Sequence, residues 1–244
     1  MNLRKIILSI LSLTLSISSF AISKGDILTV NGVKGIVFSV DESGEHGIMM
    51  SVKALRMKKN MFCKKSSNLK GISQTSTADG QSNTAALVAN ATTIGNTIFN
   101  YPLIEWCVSL GKVWYIPSSK ELKVFINYWL GNEEEVDWDE DETDTSNTES
   151  SKTHKQHVNE IMLNAGGIPF LNGVLTSTIT SKGDVVTFQY DRKKDTWRFE
   201  EIRPMSADEF TVGRAFYKFR YEKKCYIIST CVFYMHGKLW AGCF

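Results

Sequence analysis

Residues 101–122 read YPLIEWCVSLGKVWYIPSSKEL, and this stretch decides the predicted fold class. Pro102 stands near the first position of a predicted helix and Gly111 stands just past its end, which is the usual asymmetry of helix termini. After a short predicted strand, the spacing of Ser118 and Glu121 predicts a capping box that starts a second helix. This part of the chain therefore predicts two helices separated by one strand.

Runs of β-type residues lie on both sides of this helical centre. Upstream, Ile27–Val30 and Val33–Val40 flank Asn31-Gly32, a dipeptide typical of two-residue hairpin turns. Downstream, four more runs have β-type composition: Val174–Thr180, Val185–Tyr190, Thr196–Phe199 and Thr211–Phe216. Strands, then helices, then strands predict an α+β fold with an antiparallel sheet.

Two intervening segments have weaker patterns. Residues 56–82 are basic and then rich in Ser, Thr and Gly, which predicts a loop, and Thr84–Ile94 is rich in Ala, which predicts a helix. Residues 133–149 hold ten acidic side chains and no Lys or Arg, so this run repels itself and cannot bury a core. We therefore expect a disordered acidic insertion over residues 132–153, followed by a short helix that includes Val158.

The first 21 residues have the layout of a secretory signal peptide. Met1–Lys5 is short and basic, and Ile6–Ala21 is an uncharged run of 16 apolar and hydroxyl-bearing residues. Ser19 and Ala21 place small residues at the −3 and −1 positions of a cleavage site. The run is shorter than the roughly 20 apolar residues of a membrane span. We expect cleavage after Ala21, no membrane span in the mature chain, and export to the periplasm, the cell surface or the extracellular space.

The composition of the 244-residue chain is that of a globular protein. Hydrophobic residues make up 43% and charged residues 22%, which excludes wholesale disorder. Loss of Arg4 and Lys5 with the signal peptide leaves 26 Lys plus Arg against 26 Asp plus Glu. A neutral chain lacks the cationic surface that general nucleic-acid binding needs. We expect residues 22–219 to form one domain and residues 220–244 a C-terminal appendage that adds one strand to a sheet edge.

The five cysteines do not form a dense disulfide framework. Only two of them precede residue 220, so the core rather than disulfides must stabilise the main domain. An odd number leaves at least one thiol unpaired, and the sequence leaves the pairing open. The cysteines are Cys63, Cys107, Cys225, Cys231 and Cys243.

The order of short motifs along residues 25–219 resembles a known family. The motifs are NGVKGIVFSV (31–40), SGEHGIMMSV (43–52), DGQSNT (79–84), YPLIEWCVSLG (101–111), WYIPSSKEL (114–122), LTSTI (175–179) and GRAFY (213–217). Together they resemble exported bacterial domains related to the C-terminal domain of collagen-like adhesins. Those domains belong to the C-type-lectin-like and formylglycine-generating-enzyme-like fold group. The resemblance implies two main helices packed on a twisted antiparallel sheet, in proteins of which some sit on adhesins or fimbriae.

Two departures from the family limit what the resemblance implies. Family members commonly carry Trp-Ser-Ser-Thr near the end, where this chain has LTST at residues 175–178. The sugar-binding C-type lectins hold calcium with Glu-Pro-Asn or Gln-Pro-Asp together with Trp-Asn-Asp, and none of these tripeptides occurs in this sequence. The resemblance therefore does not support calcium-bridged recognition of sugars.

No catalytic residue follows from the sequence. Cys107 lies on the apolar face of a predicted helix, where a cysteine usually acts as a small hydrophobe. A cysteine hydrolase would need a histidine fixed near Cys107, and no histidine is fixed there by the pattern. Ser118 and Glu121 are explained by the helix cap, because a helix start leaves four backbone N–H groups without partners.

No metal ligand set follows either, and we expect no cofactor. His154 and His157 could share one helical face, but two imidazoles alone make a poor zinc site. Asp137 resembles the first position of a calcium loop, which also needs Gly at position 6 and Glu at position 12. Those positions hold Glu142 and Thr148.

The sequence favours a binding module over an enzyme. Trp106, Trp114, Tyr115 and Trp129 are expected in the core, whereas Trp197 and Trp138 have polar neighbours and are the candidate ligand-binding residues. We expect an exported, non-enzymatic module that recognises a glycan or protein at the cell surface without calcium. The alternatives are a structural subunit of a surface or fimbrial assembly, and an enzyme whose site the sequence does not reveal.

Overall fold

A computed structural model describes most of the chain. The described residues are 21–56, 62–63, 75–93, 101–132, 149–170, 173–191, 196–203, 211–220, 232–235 and 238–241. Within them the helices are α1 (Gly80–Thr93), α2 (Pro102–Ser109), α3 (Ser119–Leu130) and α4 (Glu149–Asn164). The strands are β1 (Ile27–Val30), β2 (Val33–Val40), β3 (His46–Ser51), β4 (Leu55–Arg56), β5 (Gly173–Ile179), β6 (Val185–Asp191), β7 (Thr196–Ile202), β8 (Thr211–Gly213), β9 (Phe216–Arg220), β10 (Val232–Met235) and β11 (Lys238–Ala241).

The strands form two main sheets and a separate hairpin. One sheet has the order β1-β2-β3-β9 and is antiparallel, and the other has the order β4-β8-β5-β6-β7 with one parallel pair, β5 and β8. The fold is therefore α+β as predicted. The described part nevertheless has two main sheets, where one was expected, and its four helices lie in the four regions for which the sequence predicted helices. The appendage was expected to add a strand to a sheet edge, but its strands β10 and β11 pair with each other.

The two turn and cap motifs that decided the prediction form as expected. Asn31 and Gly32 have φ angles of 52° and 78°, which the turn between β1 and β2 requires. Ser118 caps α3 in a capping box with Glu121, and Gly131 ends the helix in the left-handed conformation with φ 77°. Both strands of the hairpin have the predicted bounds because the turn fixes their register.

Replacing Ser118 with alanine should lower the free energy of unfolding by about 1 kcal/mol. The Ser118 hydroxyl accepts a hydrogen bond from the Glu121 N–H and donates one to the Glu121 carboxylate, and alanine loses both. Urea denaturation measures the change. The control Ser109→Ala removes an exposed hydroxyl at the end of α2 and should change the unfolding free energy by less than about 0.5 kcal/mol. Equal effects of the two variants would contradict the capping role.

The helix α1 begins earlier than predicted. The sequence indicated a loop to residue 82 and a helix from Thr84, whereas the helix starts at Gly80. Asp79 accounts for the difference, because its carboxylate accepts hydrogen bonds from the N–H and the hydroxyl of Ser82. These hydrogen bonds lower the pKa of Asp79, which keeps it a charged acceptor at the start of the helix.

The helix α4 also begins earlier than predicted. Residues 149–153 were assigned to the disordered acidic insertion, but they form the first turn of α4. Val158 and Met162 are buried in the core four residues apart, so the helix is anchored by one apolar face. Residues 133–148, which hold Trp138, lie outside the described residues, as do residues 1–20.

The chain changes sheets where one strand was predicted. Thr211–Phe216 was expected to be continuous, but β8 ends at Gly213 in one sheet and β9 starts at Phe216 in the other. At the crossover the Ala215 carbonyl accepts a hydrogen bond from the N–H of Ser51. Tertiary pairing thus overrides local β propensity at this point.

Both faces of the central strands are buried. Val37 belongs to one apolar cluster, whereas its neighbours Ile36 and Phe38 belong to a second one. The first cluster includes residues of α1 and α2, and the second includes residues of α3 and α4. The helices therefore cover opposite faces of the strands, which explains why the consecutive residues Ile36, Val37 and Phe38 are all buried. None of the helices in the described ranges has the length and apolar character needed to cross a membrane.

Candidate functional site

A buried carboxylate, Glu121, joins four segments of the chain. It is only 6% exposed. Its Oε2 accepts hydrogen bonds from the backbone N–H of Gly80 at 3.0 Å, and from the N–H and hydroxyl of Ser118 at 2.9 Å each. Its Oε1 accepts one from the Tyr115 hydroxyl at 3.1 Å and lies 3.0 Å from Lys218 Nζ. Glu121 therefore does much more than cap its own helix, which is all that the sequence predicted.

A set of hydroxyl and amide groups extends this polar junction. Thr178 Oγ1 accepts a hydrogen bond from the Ser119 N–H at 2.9 Å, and the Ser177 hydroxyl donates to the Pro117 carbonyl at 3.1 Å. Asn83 donates to Ser177 Oγ at 3.2 Å. These residues come from the DGQSNT, WYIPSSKEL and LTSTI motifs. The motifs that carried the family resemblance thus meet at one place and hold α1, α3 and β5 together.

The junction has the electrostatics of a structural site. Burial, and then the negative charge of Glu121, raise the pKa of the Tyr115 hydroxyl well above its ordinary value, so it stays a hydrogen-bond donor. Lys218 balances the Glu121 charge and lies 5.4 Å from the centroid of the Tyr115 ring. Every oxygen of the carboxylate is therefore occupied by partners from the protein.

A groove of about 230 Å³ opens beside the junction, between the start of α3 and the strands β5 to β7. We call it the Phe199 groove. It is lined by Thr77, Ser119, Lys123, Thr178, Ile179, Thr180, Ser181, Val186, Phe199 and Glu201. Five of these side chains carry hydroxyl groups, and the described lining contains no histidine or cysteine.

Charged groups of both signs border the Phe199 groove. Lys123 Nζ lies 5.4 Å from the centroid of the Phe199 ring, a cation–π distance. Glu201 lies 3.6 Å from Lys182 Nζ in an exposed ion pair. The groove therefore offers hydrogen-bond donors, acceptors and an aromatic ring within one small volume.

The sequence analysis did not predict that Phe199, Lys123 and Glu201 lie close together. β7 was predicted to end at Phe199, but it continues to Ile202. Because alternate residues of a strand lie on the same face, this extension places Glu201 on the same face as Phe199. Lys123 reaches that face from α3, which no local pattern could indicate.

Trp197 lies on the same face of β7, but in aromatic rather than polar surroundings. Its ring stacks on Phe188 with centroids 5.2 Å apart and planes at 10°, and its edge contacts Trp129 at 5.7 Å. The side chain is half-buried and is not part of the groove's described lining. Its polar neighbour in the sequence, Arg198, belongs to the opposite face of the strand. The role of Trp197 in ligand binding stays a prediction. Trp138, the other candidate ligand-binding residue, lies outside the described residues.

The two described cysteines, Cys63 and Cys107, are both buried. Burial raises the pKa of the Cys107 thiol to about 12, which makes it a poor nucleophile at neutral pH. Cys63 is fully buried in the first apolar cluster, which also contains Cys107. The other cysteines, Cys225, Cys231 and Cys243, lie outside the described residues.

The described histidines do not assemble a metal site. His154 and His157 share α4 with ring centroids 6.5 Å apart, and His154 contacts Tyr128 edge-on. His46 instead pairs with Asp41 at 2.9 Å in the turn between β2 and β3. Within the described ranges, no group of three or more His, Cys, Asp or Glu side chains could hold a metal ion.

Arg214 is a buried cation at the crossover between the two sheets. It is 1% exposed, and its guanidinium donates to the carbonyls of Ser51, Val52, Ile168 and Pro169. Burial lowers its pKa to about 9, so it stays charged at neutral pH. A charged residue inside the apolar run 211–216 was the signal in the sequence that marked this position.

Comparison with protein-family models, with curated proteins and with solved structures found no match to this chain. The family resemblance therefore depends on the order of the sequence motifs alone.

Proposed function

We propose that this chain is an exported module that binds a glycan at a cell surface without calcium, and that the Phe199 groove holds the sugar. The observation that carries the proposal is the combination of hydroxyl groups, Lys123, Glu201 and the Phe199 ring around one groove.

The chemistry of the groove matches the chemistry of a sugar ring. Sugar hydroxyls both donate and accept hydrogen bonds, which serine and threonine hydroxyls reciprocate and which lysine and glutamate strengthen by charge. The C–H face of a sugar needs an apolar partner, and the Phe199 ring supplies one. Lys123 now lies over that ring, so stacking requires its flexible side chain to move aside.

Calcium is not part of the proposal. The tripeptides with which C-type lectins bind calcium are absent from the sequence, and Glu201 is the only carboxylate in the described lining of the groove. A calcium site takes six to eight oxygen ligands, usually with several carboxylates.

We further propose that the fold is C-type-lectin-like and related to the C-terminal domains of collagen-like adhesins. The three motifs DGQSNT, WYIPSSKEL and LTSTI meet at the Glu121 junction, and this supports the proposal because residues that carry the resemblance pack together. A protein ligand, a structural subunit of a fimbrial assembly and an enzyme are the competing functions. A protein ligand would need a contact area larger than this groove. A structural subunit would need to associate with copies of itself, and an enzyme would need to turn over a substrate.

The test is binding of the purified mature chain, from Ile22, to immobilised glycans with and without EDTA. Binding should be weak for a single domain, stronger for a multivalent display, and unchanged by the chelator. Phe199→Leu keeps the apolar volume but loses the aromatic face, and it should weaken binding about two- to tenfold. Loss of binding in EDTA, or turnover of the bound sugar, would overturn the proposal.

A pair of glutamate variants provides the matched control. Glu201→Gln replaces a charged acceptor in the groove by a neutral one and should weaken binding about fivefold. Glu42→Gln changes an exposed carboxylate in the turn between β2 and β3 and should have no effect. If both variants bind equally well, the sugar does not occupy the Phe199 groove.

A further inference from the structure

A second groove, larger and more apolar than the first, runs between α1 and the segment that follows α2. Its volume is about 440 Å³, within the range of small-molecule sites. We call it the Trp114 groove. It is lined by Gln81, Thr84, Ala85, Val88, Ala89, Val108, Lys112, Val113, Trp114 and Tyr115.

The walls of the Trp114 groove leave apolar surface open to solvent. Ala85 and Ala89 are exposed on one wall, where their small side chains create the space. Val113 is 40% exposed on the lining and is one of two large hydrophobic side chains exposed in the described part of the chain. A ligand with an aliphatic body would remove this surface from water.

One buried polar group in the described lining lacks a hydrogen-bond partner. The Tyr115 hydroxyl donates to Glu121, and the Thr84 hydroxyl donates to the Gly80 carbonyl, so both are satisfied within the protein. Trp114 is 2% exposed, and its indole N–H has no acceptor among the described residues. A buried donor without an acceptor is costly, so an oxygen atom brought within its reach would be favoured.

The charge of the lining indicates which polar group a bound ligand would carry. Lys112 is the only charged residue in the described lining, and its side chain is exposed. We propose that the Trp114 groove binds an amphipathic carboxylate, with an aliphatic chain along Ala85 and Val113 and its carboxylate paired with Lys112. This site is separate from the Phe199 groove, so the proposal does not depend on sugar binding.

Calorimetric titration of the mature chain with octanoate tests the proposal, and 1-octanol serves as the uncharged comparison. Octanoate should bind more tightly than octanol, and Lys112→Gln should weaken octanoate binding about two- to fivefold while leaving octanol unchanged. The control Lys53→Gln removes an exposed lysine outside the groove and should change neither. Equal affinity for the acid and the alcohol would overturn the assignment of a carboxylate.

Two neighbouring alanines on α1 test the location. Ala85→Phe should fill the groove and reduce octanoate binding at least about tenfold, because the ring occupies the space of the chain. Ala86→Phe places the same ring on the same helix at an exposed residue outside the lining, and it should leave binding unchanged. Absence of octanoate binding in the unmodified chain, or equal loss in both variants, would overturn the proposal. Binding of an apolar peptide without any binding of octanoate would also overturn the proposal.

Discussion

Replacing Gly80 with alanine should destabilise the domain by about 3 kcal/mol, although a glycine-to-alanine change in a helix ordinarily stabilises. A Cβ at this position would lie 2.5 Å from Glu121 Oε2, 2.5 Å from the Ile116 carbonyl oxygen and 2.6 Å from the Ser118 nitrogen. Two of these three atoms belong to the backbone and cannot rotate away. The substitution must therefore push α1 away from α3 and break the hydrogen bond from Gly80 to Glu121.

The control for this prediction is Gly183, a glycine with a positive φ and open space around it. Gly183 has a φ of 82°, but no atom lies within 4 Å of the position that a Cβ would take, so Gly183→Ala meets backbone strain without a clash. We expect that variant to lose about 1 kcal/mol. Chemical denaturation of both variants gives the comparison. If Gly80→Ala were as stable as the unmodified protein, the close packing of α1 against the Glu121 junction would be wrong.

Local signals in the sequence were enough to predict the elements that are defined by their own residues. Asn31-Gly32 predicted its hairpin and Ser118 with Glu121 predicted its helix cap, because in both cases the partners lie within a few residues. The bounds of β1 and β2 followed from the turn alone. Such elements need no knowledge of the rest of the chain.

Features that depend on distant partners were missed for a physical reason. The break between β8 and β9 exists because β8 pairs with β4 and β5, whereas β9 pairs with β3. Nothing in the run 211–216 other than its single charge marks that change of partner. The boundaries of α1 and α4 were wrong by a few residues, since a capping aspartate and a buried helix face outweighed weak local propensity.

The candidate site was the least predictable part. The sequence analysis selected Trp197 because its neighbours are polar, and strand alternation places those neighbours on the opposite face of the strand. The Phe199 groove combines Thr77 with residues of α3, β5, β6 and β7, and its lining residues lie up to 124 positions apart, from Thr77 to Glu201. A groove built from distant residues has no local sequence pattern. Most residues of the Glu121 junction, by contrast, lie within three short motifs that the sequence analysis identified.

Replacing Arg214 with methionine should cost about 4 kcal/mol of folding stability, the largest effect that we expect from one side chain. Methionine fills similar apolar space, but it cannot donate to the carbonyls of Ile168 and Pro169, which the guanidinium joins to the end of β3. Removal of the buried charge offsets part of this loss. The net change stays unfavourable, because buried carbonyl groups lose their donors in two segments at once.

Two further arginine variants separate the causes. Arg214→Lys keeps the charge but not the planar fork that spans both segments, so it should be nearly as unstable as Arg214→Met. Arg220→Met removes an exposed arginine at the end of β9 and should change stability by less than about 0.5 kcal/mol. Thermal and urea unfolding of the three variants measures these differences. A stable Arg214→Met protein would mean that the crossover between the sheets is held by backbone pairing alone, and full rescue by lysine would mean that charge rather than geometry matters there.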